Sequence, residues 1–321
     1  MATCRFCDNS LIIGQSTCYS SECQSFLATA CTKVLKCGHR CGGIKDESEC
    51  LPCLYWCTTS DMTVLKQRHD DVCVICFTSS ISAAPSIQLA CGHVLHLHCT
   101  KRVIAARWDG PRITFRFTLC PLCQKAMEHP LLTDILKPIR ILYDEVKRMA
   151  LTRLKYDGLQ NTESISTPGA PFYQDPEGFS INKYAYYICF QCQKPYFGGE
   201  ARCDEQDFVE NHKKEDFVCA RCSQSNSQIC AKHGIDYLEY KCRYCCSMAR
   251  FHCFGTTHFC DACHTNHTHL TQLPKDKLPR CPAGPVGKQL EGSACPLGIS
   301  HPPTGDEFAL GCGLCNDLMS F

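Results

Sequence analysis

Thiolate ligation is the chemistry this sequence is built for. Of its 321 residues 32 are cysteine and 14 are histidine. Many cysteines fall two residues apart: Cys4/Cys7, Cys50/Cys53, Cys73/Cys76, Cys120/Cys123, Cys189/Cys192, Cys219/Cys222, Cys242/Cys245, Cys260/Cys263 and Cys312/Cys315. Such a pair presents two thiolates to one tetrahedral metal, whereas disulfides that staple a chain rarely join residues so close. The expected metal is zinc and the expected compartment is reducing. Met1-Ala2-Thr3-Cys4-Arg5 carries no apolar leader and no stretch approaches a membrane span, so no membrane insertion is expected. With 33 basic and 32 acidic residues the chain is nearly neutral and has no basic stripe, which argues against a nucleic-acid binder. Much of the folding free energy must come from metal ligation.

Grouping the ligands divides the chain. In residues 1–69, an N-terminal zinc-binding module, Cys4, Cys7, Cys18 and Cys23 make one four-thiolate site. Cys31, Cys37, His39, Cys41, Cys50, Cys53, Cys57 and His69 fill two further sites if all eight ligate; otherwise they leave spare thiols. Nothing there is arranged for catalysis, and a spacer or docking surface is the expected role. In residues 183–321, Cys189, Cys192, Cys219, Cys222, Cys242, Cys245, Cys260, Cys263, Cys312 and Cys315 are joined by Cys230, His233, Cys246, Cys281, Cys295 and His301. Those sixteen ligands fill four tetrahedral sites, although spacing alone does not say which of the adjacent Cys245 and Cys246 ligates.

Two cysteines of that region are left over, Cys203 and Cys253. A zinc-bound thiolate is occupied by its metal, so leftover thiols are where cysteine nucleophilic chemistry could occur; the competing reading is a small buried apolar side chain. Two glycines before Cys203 and polar residues after it predict an exposed loop.

The central stretch reads Cys73-x2-Cys76-x14-Cys91-x-His93-x2-His96-x2-Cys99-x20-Cys120-x2-Cys123. It resembles the RING finger in its variant with two central histidines. The resemblance implies interleaved sites, Cys73, Cys76, His96 and Cys99 on one zinc and Cys91, His93, Cys120 and Cys123 on the other, with His98 spare. Filled coordination spheres cannot activate water, so the function implied is binding. By similarity to RING domains, Ile75, Trp108 and Pro121 form the apolar patch that receives a ubiquitin-conjugating enzyme, although Trp108 also suits a core cap. Many RING domains carry a cation just after the last ligand; here that position is Gln124, with Lys125 following.

Elements must hold these groups in place. Thr100 to Trp108 reads as a short helix with Val103, Ile104 and Trp108 apolar. A longer helix of about 19 residues lies within 130–158, with Pro138 in its first turn and Ile139, Leu142, Tyr143, Val146, Ala150 and Leu154 recurring at three- and four-residue steps until Gly158. Residues 159–182 read as an ordered loop or linker. The expected fold class is a string of small zinc-stabilised modules, α+β and irregular: N-terminal zinc fingers (1–69), a RING finger (70–128), a helical linker and loop (129–182) and a tandem-cysteine multi-zinc domain (183–321). Eight or nine zincs per chain are expected.

Several segments resemble the C-terminus of the very large Pam/Highwire proteins: Tyr184-Ala-Tyr-Tyr187, Tyr196-Phe-Gly-Gly-Glu-Ala-Arg-Cys203, Leu238-Glu-Tyr-Lys-Cys-Arg-Tyr-Cys-Cys246, Cys253-Phe-Gly-Thr-Thr-His-Phe-Cys260 and Gly110-Pro-Arg-Ile-Thr-Phe115. The resemblance covers about residues 70–321 and implies a RING-Cys-relay ubiquitin ligase. It makes Cys203 the cysteine that accepts ubiquitin from the charged conjugating enzyme, and Cys253 the one that receives it next and delivers it to threonine or serine of a substrate. It makes His264 the base for the hydroxyl, Asp216 (or Glu215) an assisting acid and Phe254 the bulky neighbour of the nucleophile. It further implies ubiquitin, protein substrates and an F-box protein as partners, the last through regions outside this chain, and a cytoplasmic, axonal or presynaptic location. The alternative activity is an adaptor RING that activates the conjugating enzyme directly, with the C-terminal domain only a binding platform.

Overall fold

The computed structural model describes residues 3–7, 9–11, 15–55, 57, 65–201, 213–222, 229–253, 256–278, 295, 297 and 301–316. Cys203, Phe254 and Cys281 lie outside the described residues. The chain divides into two compact units, Met1–Trp108 with Thr114–Arg140, and Asp109–Ile113 with Ile141–Phe321. Small modules rich in helix, short strands and clustered cysteines make up both.

In the first unit helix α1 (Ser21–Thr29) buries Cys23, and Phe6 and Phe26 meet edge to face at 5.6 Å. Strands β1 (Ser86–Gln88) and β2 (Val94–His96) pair antiparallel, and helix α2 (Leu97–Ala106) follows directly. The helix stops two residues short of Trp108 because Arg107 takes φ 62°, the left-handed region that ends helices. Described residues before Cys73 share a core with the 73–123 stretch. Leu51, Leu54 and Leu65 share a buried cluster with Cys73, Ile81, Val94 and Cys99. Buried Gln67 accepts the Val94 N–H at 2.6 Å, and His129 pairs with Glu47 at 3.1 Å.

Helix α3 (Thr133–Tyr156) begins earlier than Pro138 suggests, so that Pro138 lies inside it. Leu132, Leu136 and Ile139 explain the early start: at steps of four and three they enter the core cluster with Ile87, Leu95 and Ile104, and that burial outweighs the hydrogen bond Pro138 lacks. Its 24 residues measure about 36 Å.

In the second unit the stripe of α3 continues through buried Val146, Ala150 and Leu154. The stretch expected to be loop holds two short helices, α4 (Glu163–Ser166) and α5 (Pro176–Lys183). The start of α5 was legible: Asp175 caps it, Oδ1 accepting the Gly178 N–H at 2.8 Å, with Pro176 at the first position. Strands β3 (Tyr184–Ile188), β4 (Pro195–Glu200), β6 (Phe251–Cys253) and β7 (Thr257–Phe259) form an antiparallel sheet in the order β3-β4-β6-β7. A second, two-stranded sheet joins β5 (Leu238–Lys241) to β8 (Phe308–Cys312). Short helices α6 (Asp261–Thr265) and α7 (His267–Leu270) follow β7. Where β4 meets β6, Gly199 pairs with Phe251 at φ 93°; a Cβ there would sit 2.6 Å from the Arg250 carbonyl oxygen, so only glycine allows the strands to touch. Among the described residues no helix is long and apolar enough to cross a membrane.

Candidate functional site

Every described cysteine is reduced, and the sulfurs gather as metal sites require. Tetrahedral zinc with Zn–S near 2.3 Å sets neighbouring sulfurs about 3.8 Å apart. The observed separations match: Cys7 to Cys18 and to Cys23 3.7 Å, Cys53 to Cys57 3.7 Å, Cys192 to Cys219 3.8 Å and Cys245 to Cys260 3.5 Å. The ligand atoms of Cys4, Cys7, Cys18 and Cys23, of Cys37, His39, Cys53 and Cys57, and of Cys189, Cys192, Cys219 and Cys222 lie within 4.8 Å of one another in each set. Cys73, Cys76, His96 and Cys99, and likewise Cys91, His93, Cys120 and Cys123, converge in the interleaved pattern of the RING resemblance. Next to these, Cys41 lies beside Cys31 and Cys50, and the buried His69 Nδ1 has no hydrogen-bond partner among the described residues.

Histidine geometry supports the same reading. His96 Nε2 bonds the Ser80 carbonyl at 2.9 Å, which directs Nδ1 at Cys76 and Cys99, 3.9 and 3.7 Å away. A backbone acceptor on one ring nitrogen that turns the other toward thiolates is the usual second shell of a metal histidine. His301 repeats it: Nδ1 bonds the Pro302 carbonyl at 2.8 Å, while buried Nε2 lacks a described partner. Its ring lies 6.5 Å from Phe308, which packs on the buried cluster of Cys246 and Cys295.

Long-range pairing follows. His233 Nδ1 sits 3.7, 3.5 and 3.5 Å from Cys230, Cys312 and Cys315, joining residues about 80 positions apart. Cys245 belongs with Cys242, Cys260 and Cys263, and Cys246 with Cys295. Beside the four thiolates, fully buried Lys241 donates to the carbonyls of Cys242 and Cys245 at 2.8 and 3.1 Å. Its positive charge offsets the surplus negative charge of a four-thiolate zinc centre. The donor sets therefore fit zinc.

The expected docking patch is only partly open. Ile75 is half-buried against the two buried clusters that include Ile87 and Ile81, Trp108 is half-buried with its ring 6.1 Å from that of Phe117, and Pro121 is exposed. The structure adds Phe77 and Leu122, 76% and 44% exposed, each next to a ligand. Spacing places both on ligand turns without saying that they face outward.

Cys253 ends β6 and is 2% exposed, packed with Phe251, Phe259, Cys260 and Cys263. Strand alternation sets Cys253 and Phe251 on one face and His252 on the other. The half-buried His264 packs its ring 4.2 Å from that of Phe251, so it belongs to the Cys253 face. The opposite face has an arrangement the sequence did not announce. His258, the cross-strand partner of His252, stacks on it at 4.1 Å and on Tyr240 at 3.7 Å. Glu307 accepts the His258 backbone N–H at 3.1 Å and meets its Nδ1 at 2.7 Å. Burial pushes the Glu307 carboxyl up to about 7 and drops the His258 imidazole to about 3, so the imidazole is neutral at physiological pH. The Gly-Thr turn at 255–256 signals a hairpin that would pair the two histidines; nothing in the sequence ties residue 307 to residue 258. Asp216, exposed, accepts the Lys213 N–H at 3.2 Å and lines a cavity of about 760 Å³ with His252, Thr256, His258 and Glu307.

No family model matches the sequence. Over 324 aligned positions it is 54% identical to the E3 ubiquitin-protein ligase MYCBP2 of Danio rerio, and over 333 positions 50% identical to the E3 ubiquitin-protein ligase highwire of Drosophila melanogaster. Each alignment covers 99% of this chain and only 7% or 6% of the relative, so the chain spans less than a tenth of their length.

Proposed function

Since this chain is homologous almost end to end to a segment of the Pam/Highwire (PHR) proteins, we propose that it is a ubiquitin ligase module working by a two-cysteine relay. The RING holds a charged ubiquitin-conjugating enzyme through Ile75, Trp108 and Pro121. The Cys203 thiolate attacks the carrier thioester, forming a new C–S bond as the old one breaks and the carrier thiolate leaves. Cys253 takes ubiquitin by the same exchange, which is nearly balanced because the bonds are alike. A threonine or serine hydroxyl of the substrate then attacks. Its proton passes to His264, the C–O bond of an ester forms, the C–S bond to Cys253 breaks, and the proton returns to the thiolate. Zinc, bound by the tetrads, holds the modules folded and takes no part in these steps.

The observation that carries this reading is the position of Cys253 at the end of β6, on the face where His264 packs against Phe251. Burial of Cys253 favours a second reading, in which it is a core residue and the RING acts alone. The two separate on a non-reducing gel after mixing the chain with charged conjugating enzyme. A thiol-sensitive ubiquitin adduct on the wild type, with ligation lost in both Cys203→Ala and Cys253→Ser, supports the relay. Normal ligation by both variants would sink it. Trp108→Ala should slow loading of Cys203 without loss of bound zinc. Offered as free acceptors, threonine and serine should be used in preference to lysine.

A further inference from the structure

Residues 31–69 hold more thiol and imidazole donors than the set of Cys37, His39, Cys53 and Cys57 uses: Cys31, Cys41, Cys50 and His69 remain. Cys53 is in that set and Cys50, its neighbour at Cys-x2-Cys spacing, is not. Cys50 packs instead on the buried cluster that holds Cys31 and Cys41 with Leu51 and Leu54, and Cys41 interacts with the thiols of both Cys31 and Cys50. The Gly43 N–H donates to Cys41 Sγ at 3.4 Å, a bond that favours the thiolate. Arg5 donates to the Cys41 carbonyl at 2.7 Å and lies close enough to Cys31 and Cys41 for its charge to attract theirs. Three thiolates give a zinc ion one surplus negative charge, and a neighbouring guanidinium offsets it.

His69 has the donor that three thiolates lack. Its backbone N–H bonds the Leu54 carbonyl at 3.0 Å, which sets it against the segment that carries Cys50. Its ring stacks on Tyr55 at 4.1 Å and the ring of His39 stacks on Tyr55 at 4.3 Å. Two rings that close cannot share one face, so the tyrosine separates His69 from the metal position of His39. The buried His69 Nδ1 has no hydrogen-bond partner among the described residues, and the exposed Asp70 carboxylate, 3.6 Å away, is too far to bond it. Nδ1 is also the nitrogen that His39, His93, His96 and His233 turn toward their sulfurs.

We propose that Cys31, Cys41, Cys50 and His69 form a further zinc site, interleaved with the site of Cys37, His39, Cys53 and Cys57. In chain order the two sets alternate, so the segments between the ligands of one site carry the ligands of the other, as they do in the 73–123 stretch. The site stands apart from the relay and has a task of its own. The carbonyl of Gly42, next to Cys41, accepts the Ser86 N–H at 3.0 Å, and the carbonyl of His69 accepts the Ser82 N–H at 3.1 Å. Its ligands therefore fasten residues 31–69 to the 73–123 stretch.

The test counts zinc on the intact chain by native mass spectrometry, after dialysis against a chelator concentration that leaves the wild type fully loaded. Cys50→Ser and His69→Ala should each return one zinc fewer than the wild type, while His69→Cys, which restores a fourth donor, and Asp70→Asn should keep the full count. Cys50→Ser combined with Cys53→Ser should return two fewer, because the pair serves two metals. An unchanged count in either single variant, or a loss of only one in the double variant, would overturn the site. Where a variant fails to fold, the wild type decides. Cys50 is half-buried, so a free thiol there takes up iodoacetamide, whereas a zinc-bound one resists until the metal is chelated. Alkylation of Cys50 in the zinc-loaded protein would overturn the site; protection that chelation removes supports it. Hydrogen exchange reads the fastening: the Ser82 and Ser86 amides should exchange faster in His69→Ala and return to wild-type rates in His69→Cys, and unchanged rates in His69→Ala would refute that task.

Discussion

Glu307 binds His258 through both backbone and ring, which ties the β6–β7 hairpin to the segment before β8. Its carboxyl has a folded pKa of about 7, above the ordinary 4.5. The sign follows from that direction. The group's contribution to stability is complete below pH 4.5 and is lost as pH rises through 7. The stability of zinc-loaded wild type relative to Glu307→Gln should therefore decline between those values, measured as the difference in urea midpoints; an identical pH profile for the two proteins would count against it. Arg153 is the other residue on which much depends. It forms ion pairs with Asp157 and the 5%-exposed Glu239, and lies over the rings of Tyr156 and Phe197 at 4.8 and 4.6 Å. Arg153→Ala leaves a buried carboxylate unpaired and should cost about 3–5 kcal/mol, whereas Arg153→Met with Glu239→Gln should recover much of it in thermal melts.

Among the elements, the β4–β6 contact sets where Cys253 lies. It depends on Gly199, whose absent side chain lets the strand approach the Arg250 carbonyl and the His252 N–H. Gly199→Ala should destabilise the domain by roughly 2–4 kcal/mol, from strain at positive φ together with the clash. It should also speed alkylation of Cys253, which is 2% exposed in the native sheet. Unchanged alkylation alongside a lowered melting temperature would mean that the strain is absorbed elsewhere. The helices show how far sequence carries at this scale. The apolar steps of α3 were readable, but its start was not, because Pro138 pointed to a later first turn while Leu132 and Leu136 had partners in the core around Ile87, Leu95 and Ile104. The cap that starts α5, Asp175 with Pro176, is readable in the sequence but sits within a loop-like composition that masks it.

For the whole molecule, metal held by the Cys/His groups is expected to be the main source of order. Chelation should unfold the chain with loss of far-ultraviolet ellipticity, and elemental analysis should return eight or nine zincs per chain; retention of structure after complete zinc removal would refute the first expectation. The candidate ligands and the one group Cys4, Cys7, Cys18 and Cys23 were legible in the sequence, because the Cys4-x2-Cys7 turn builds half a tetrahedron whatever surrounds it. Which halves combine was decided only by the tertiary structure. Cys230 and His233 meet Cys312 and Cys315, and Cys245 and Cys246 part to different clusters. Loop closure depends so weakly on length that many pairings satisfy the chemistry equally, and packing chooses among them. The same holds at the candidate site. The sequence singled out Cys253 and His264, whereas the stack of Tyr240, His258 and His252 over Glu307 exists only because β5, the β6–β7 hairpin and the segment before β8 pack together.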